Sequence, residues 1–306
     1  MAQTRREFMQ QGVAAATIMA LGGRVSAGSD DIIYGKIPSS GEKIPIIGLG
    51  TNRYGVGNDE AARAPLRAAL KRFQELGGTL IDTAPMYRSS ESVLGDLIAD
   101  LRIRDKLFIA TKADEEPGGE ATVEQMESSA KKLRSGAFDL MQVHNLRGWK
   151  EALAAMRAWK EAGQIRYIGI TTSRESQYRD FEMVMRQEPL DFIQINYSLE
   201  QRVAAERILP LAADRGVAVI INRGFGGGRI FDAVGDQPLP EWAADFDCSS
   251  WAQFLLKYAI SHPAATAAIP GMTKVRHVED NMMAGRGRLP NAEQRQRQEA
   301  FFDSLS

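Results

Sequence analysis

Eight short apolar runs recur along this 306-residue chain, and a stretch with helical periodicity follows each of them. The runs are "IPIIGLGT" (44–51), "TLIDTA" (79–84), "LFIATK" (107–112), "DLMQVHN" (139–145), "RYIGITT" (166–172), "DFIQINYS" (191–198), "VAVIINR" (217–223) and "TAAIPG" (266–271). The helical stretches cover about 58–76, 89–100, 121–134, 149–162, 174–187, 202–214, 249–261 and 274–285, with a long loop before 249 and a last helix at about 291–304. A strand that reads apolar throughout is one buried on both faces, as in a parallel sheet covered by helices. Eight such units in series predict an α/β fold of the (β/α)8 TIM barrel type rather than an open sheet. "DIIYGKIPSSGEKIPI" (31–46) predicts a β-hairpin before the first barrel strand, with "SSGE" as its turn, and 291–304 supplies a C-terminal extra helix. The competing doubly wound sheet rests on Gly55 and Gly57 of "YGVGNDE" (54–60), where the third glycine of the dinucleotide fingerprint is missing.

The N-terminus follows a different pattern. "MAQTRREFMQQGVAAATIMALGGRVSAGS" has a basic start, an apolar run from Gly12 to Gly23 and a small-residue end suited to cleavage after Ala27. Arg5-Arg6 before Glu7-Phe8 reads as a twin-arginine export signal. Residues 1–27 are therefore predicted to be a signal peptide, and 28–306 a single barrel domain exported through the twin-arginine machinery after folding, to the periplasm or beyond. Cleavage would remove Arg5, Arg6, Arg24 and Glu7 and take the formal net charge from −1 to −3. Such a balance offers no basic surface for nucleic acid. The single cysteine, Cys248, suits a chain that folds in a reducing compartment, and the three histidines, His144, His262 and His277, have no metal-ligand spacing.

In a barrel of this kind chemistry belongs at the C-terminal ends of the strands. Those ends carry Thr51 to Arg53, Asp82 with Tyr87 in its loop, Lys112, His144-Asn145, Thr171 to Ser173, Gln194 with Asn196, and Asn222-Arg223. Each has an ordinary explanation alone: a snorkelling lysine, a satisfied core histidine, a capping aspartate, a packing tyrosine. Together they are complementary. A phenol is a poor acid near neutrality, and an adjacent ammonium favours its phenolate. The ammonium needs an anion to remain charged in a closed pocket, and an imidazole can donate to a substrate oxygen. The set suits protonation of a carbonyl oxygen as hydride reaches its carbon, or the reverse.

At these residues the sequence resembles the aldo-keto reductases. The resemblance runs from about 35 to 290 and rests on "GLGT" (48–51), "IDTAPMY" (81–87), "ATK" (110–112), "MQVHN" (141–145), "IGITTS" (168–173), "IQINYS" (193–198) and "IPGMTKVRHVEDN" (269–281). By motif position it implies Asp82, Tyr87, Lys112 and His144 as catalytic residues. It also implies NAD(P)(H) lying across the barrel mouth without a Rossmann domain. Thr171, Thr172 and Gln194 would then hold the nicotinamide carboxamide, and Thr51 would lie near its ribose. "GFGGGR" after the seventh strand, with Gly226 and Gly227, would meet the pyrophosphate. Lys274 would meet a 2′-phosphate and Asn281 the adenine. Where many members carry an aromatic and Ser-Pro, this chain has Asn222-Arg223-Gly224, which makes Arg223 a candidate contact for cofactor phosphates or an anionic substrate.

The leading expectation is an oxidoreductase that interconverts a small carbonyl compound and its alcohol with NADP(H), or with NAD(H), Tyr87 exchanging the proton. Two alternatives stay open: a Schiff-base lyase using Lys112, and a non-catalytic regulatory subunit that binds the nicotinamide cofactor.

Overall fold

The computed structural model describes residues 31–114 and 119–305, so the predicted signal peptide lies outside the described residues. A two-stranded antiparallel hairpin, β1 (Tyr34–Lys36) and β2 (Lys43–Pro45), comes first. Eight parallel strands follow: β3 (Leu49–Gly50), β4 (Leu80–Asp82), β5 (Phe108–Ala113), β6 (Phe138–His144), β7 (Ile165–Thr171), β8 (Phe192–Asn196), β9 (Ala218–Asn222) and β10 (Ala265–Ala268). They pair in chain order. Parallel bridges Ile47 to Ala268 and Gly50 to Gly271 bring the first strand back to the last and close the barrel. Closure rules out the doubly wound sheet.

Each strand is followed by a principal helix: α1 (Glu60–Glu75), α2 (Ser90–Leu101), α3 (Gly119–Leu133), α4 (Trp149–Glu161), α5 (Tyr178–Gln187) and α6 (Ala204–Asp214). After β9 come a short α7 (Arg229–Val234) and then α8 (Trp251–Ile260). α9 (Val275–Met283) follows β10, and α10 (Ala292–Asp303) is the extra C-terminal helix. Asp59 caps α1 by accepting from the Ala61 and Ala62 amides, and a reciprocal Asn291–Gln294 capping box starts α10. The long loop expected after β9 holds α7 and a 3-10 segment at Glu241–Phe246, elements too short to show a helical period in sequence. Residues 44–45, which the expected hairpin and the expected first barrel strand both included, belong to the hairpin.

The strand alternation sorts residues by face. Ile81, Ile109, Met141, Val143, Ile168, Ile170, Ile193, Ile195 and Ile221 join the core between barrel and helices. Leu80, Phe108, Leu140, Tyr167, Phe192 and Ile220 form a second core inside the barrel, which the hairpin's Ile37 and Ile44 join. There the rings of Phe108, Tyr167 and Phe192 lie 5.5–6.0 Å apart, stacked, tilted or edge-on. Such pairs contribute about 0.5–1.5 kcal/mol each beyond area burial, and they form a rigid apolar floor. One or two pleats further along, the same inward register carries Asp82, Lys112, Gln142, His144, Thr171 and Gln194.

Candidate active site

The inward polar residues open onto a cavity of about 870 Å³ at the C-terminal mouth of the barrel, within the range of ligand pockets. Asp82 ends β4 and is buried. Its backbone carbonyl accepts from the Thr51 amide at 3.1 Å and the Thr51 hydroxyl at 2.8 Å, which fixes where the carboxylate points. Lys112, on the neighbouring strand, donates to Asp82 Oδ2 at 2.6 Å and to the Thr83 carbonyl at 2.7 Å. Both side chains are at most 3% exposed, so the pair is desolvated. Burial pulls the Lys112 pKa down, but Asp82 and Tyr87 together more than offset it and hold the ammonium above its ordinary value.

Tyr87 leaves the barrel wall on a turn in which its amide donates to the Ala84 carbonyl at 3.0 Å. The loop after β3 crosses so close behind it that a Cβ on Gly55 would sit 2.4 Å from the Tyr87 carbonyl oxygen, so only glycine fits there. Lys112 Nζ lies 5.2 Å from the centre of the Tyr87 ring. That ammonium is the largest single influence on the phenol and pulls its pKa down. Burial and the carboxylates of Asp82 and Asp114 push the other way and prevail, so the phenol sits above its ordinary value. The net depression expected from the lysine alone is therefore corrected: Tyr87 is held as a protonated acid.

His144 closes β6 opposite Thr171. The next two residues, Asn145 and Leu146, adopt φ of 54° and 58°, a left-handed pair unusual for leucine that turns the chain sharply away from the ring. Thr171 donates to Gln194 Oε1 at 2.7 Å, which leaves the Gln194 amide group for a ligand. At the far side of the cavity Gly226, Gly227 and Gly228 all have positive φ, and a Cβ on Gly228 would meet nothing within 4 Å. The result is a bare backbone cradle. Arg223 lies over it, since a Cβ on Gly227 would come 3.0 Å from Arg223 Nη2. Asn222 Oδ1 is buried and has no hydrogen-bond partner among the described residues, although Nδ2 donates to the Thr172 carbonyl at 3.3 Å.

Residues 46–300 match the sequence model of the Aldo/keto reductase family. The chain belongs to that family. It is 32% identical over 207 residues to the aldo-keto reductase YhdN of Bacillus subtilis, an alignment spanning 61% of this chain and 60% of that protein. It is 28% identical over 256 residues to the methylglyoxal reductase YeaE of Escherichia coli, covering 82% of this chain and 88% of that one. A Klebsiella pneumoniae aldo-keto reductase crystallised with NADPH superposes with a TM-score of 0.72 at 24% identity, over 88% of this chain and 94% of that one, and shows the shared fold.

In this aldo/keto reductase the cavity brings together Thr51, Asp82, Tyr87, Lys112, His144, Thr171, Gln194, Arg223, Gly227 and Asn281. Three of the expected residues do not line it. Thr172 is turned to the opposite face by strand alternation, and its hydroxyl donates to Gln177 Oε1 at 2.5 Å, fixing the turn before α5. Gly226 is buried behind the loop against Glu200. Lys274 is an exposed residue at the start of α9, outside the cavity. Two contributors were missed in the sequence. Gln142, fully buried beside Lys112, brings Nε2 within 3.4 Å of Asp82 Oδ1. Asp114, two residues past Lys112, brings Oδ1 within 3.3 Å of His144 Nδ1. Gln142 was legible from strand period alone, since it shares the inward face with His144.

Proposed function

We propose that this chain is an NADP(H)-dependent oxidoreductase that interconverts a small carbonyl compound and its alcohol. The observation that carries the proposal is the buried Asp82–Lys112 pair beneath Tyr87, open to a cavity with a side-chain-free glycine cradle. Membership of the aldo/keto reductase family supports it, as do a relative named for methylglyoxal reduction and one crystallised with NADPH. The cradle and the open amide of Gln194 supply donors, and Asn222 Oδ1, unpartnered among the described residues, supplies an acceptor, the mixed set a dinucleotide needs. Gln194 and Thr171 would hold the carboxamide, Gly227, Gly228 and Arg223 the pyrophosphate, and Asn281 the adenine. Bound there, the nicotinamide supplies the hydride.

The protein's own part is proton chemistry. Tyr87, held protonated, donates to the carbonyl oxygen in reduction. Lys112 steadies the phenolate that results, and Asp82 keeps Lys112 charged. Gln142 and Thr51 hold Asp82 in place. The apolar floor of Phe108, Tyr167 and Phe192 lies beneath the pair and strengthens these charges.

A Schiff-base role for Lys112 is disfavoured. That lysine donates two short hydrogen bonds and is held as an ammonium, whereas imine formation needs the free amine. A purely regulatory subunit is the second reading, favoured only by the altered end of β9. Turnover of any aldehyde in a panel decides against it.

Preference for NADP(H) is assigned to Lys274, a cation free to swing over a 2′-phosphate from the start of α9. Lys274→Glu is expected to raise the NADPH dissociation constant about tenfold, some 1.4 kcal/mol, and to leave that for NADH nearly unchanged. Fluorescence titration with the two cofactors measures both.

We further propose that the folded protein is exported on its twin-arginine segment. Changing Arg5 and Arg6 to lysine is expected to retain the chain in the cytoplasmic fraction, as read by cell fractionation.

A further inference from the structure

His144 Nδ1 and Asp114 Oδ1 are both buried, and neither has a hydrogen-bond partner among the described residues, yet they lie 3.3 Å apart. The Asp114 backbone is held at both ends. Its amide donates to Gln125 Oε1 at 2.7 Å, and its carbonyl accepts from Arg147 Nη1 at 3.3 Å. Asp82, the other carboxylate nearby, is already engaged by Lys112 and Gln142. A carboxylate can only accept, so a lone pair on Nδ1 would leave two acceptors facing each other in a buried space. One proton on Nδ1 satisfies both atoms.

We propose that Asp114 is a positioning residue that holds neutral His144 as its Nδ1–H tautomer. Nε2, which has no hydrogen-bond partner among the described residues, then presents a lone pair to the cavity. This inference rests on the carbonyl–alcohol reading only for its catalytic consequence. A neutral His144 of this form accepts from a hydroxyl and repels a carbonyl oxygen. Donation to a carbonyl requires the imidazolium. Reduction therefore draws on a doubly protonated His144, and alcohol binding on the neutral ring. Asp82, Tyr87, Lys112, Arg53, Arg223, His277 and Asp280 also line the cavity, and Glu124, Lys132 and Arg147 line the pocket beside Asp114. Among the described residues, Asp114 brings the carboxylate that lies within 4 Å of Nδ1.

Only three histidines are present, so nitrogen-15 spectra of histidine-labelled protein are tractable, with His144→Gln giving the assignment. At a pH where the ring is neutral, His144 is expected to show a protonated Nδ1 and an unprotonated Nε2. Asp114→Ala should move the ring toward the Nε2–H form. Asp114→Asn keeps the volume, and its amide suits either tautomer, so it should give a mixture. An Nε2–H ring in the unmodified protein, or a tautomer that neither variant moves, overturns the proposal. These spectra need no turnover, so that result would leave the oxidoreductase reading standing.

Discussion

Tyr87→Phe is expected to lower kcat for carbonyl reduction by about 10²–10⁴-fold, the contribution of a positioned general acid. Cofactor affinity should stay within a few-fold, because the phenol faces the reacting oxygen and not the glycine cradle. Stability should change little, since Lys112, the neighbour of the phenol, keeps its hydrogen bonds to Asp82 and the Thr83 carbonyl in the variant. The direction of the phenol's shift adds a second signature. Burial and two carboxylates outweigh Lys112, so Tyr87 remains protonated through neutrality, and the phenolate needed for alcohol oxidation forms only in alkaline solution. Oxidation by the unmodified enzyme should rise with pH toward and beyond the ordinary phenol range, near pH 10. In Tyr87→Phe that alkaline rise should vanish. Steady-state rates in both directions across pH measure it, and comparable turnover in the variant would remove Tyr87 from the chemistry.

The second large effect belongs to the pair beneath it. Lys112→Met leaves Asp82 ionised, buried and without its cation, and also strands the Thr83 carbonyl. Breaking a buried pair in this way costs about 3–5 kcal/mol, and catalysis should be lost with it. Joining Asp82→Asn to Lys112→Met removes the stranded charge and should recover most of the stability while activity stays absent. Denaturant midpoints of the single and double variants separate the two roles. If the double variant is no more stable than Lys112→Met, the cost does not come from an uncompensated charge.

The barrel was legible in the sequence because its strands are apolar on both faces and its helices keep a 3.6-residue period. Asp82, Lys112 and His144 were legible for a related reason: each is the first titratable group to interrupt an apolar strand at its C-terminal end. Thr172 shows the limit of reading residues in pairs. Two adjacent threonines at a strand end cannot both face the cavity, and the alternation gives that place to Thr171. Asp114 shows another limit. It lies beyond the strand, in a loop with no periodicity, and only the three-dimensional path of β5 and β6 brings it to His144. α7 lay hidden in a glycine-rich loop because six residues do not complete two helical turns.

Isotope transfer tests the central claim most directly. The purified protein is incubated with an aldehyde and NADPH deuterated at the transferable hydrogen of nicotinamide C4, and the alcohol is analysed by mass spectrometry. Direct hydride transfer in this barrel predicts one deuterium on the former carbonyl carbon, and almost none with Tyr87→Phe over the same interval. Alcohol formed without the label, or equal labelling by the variant, would contradict it.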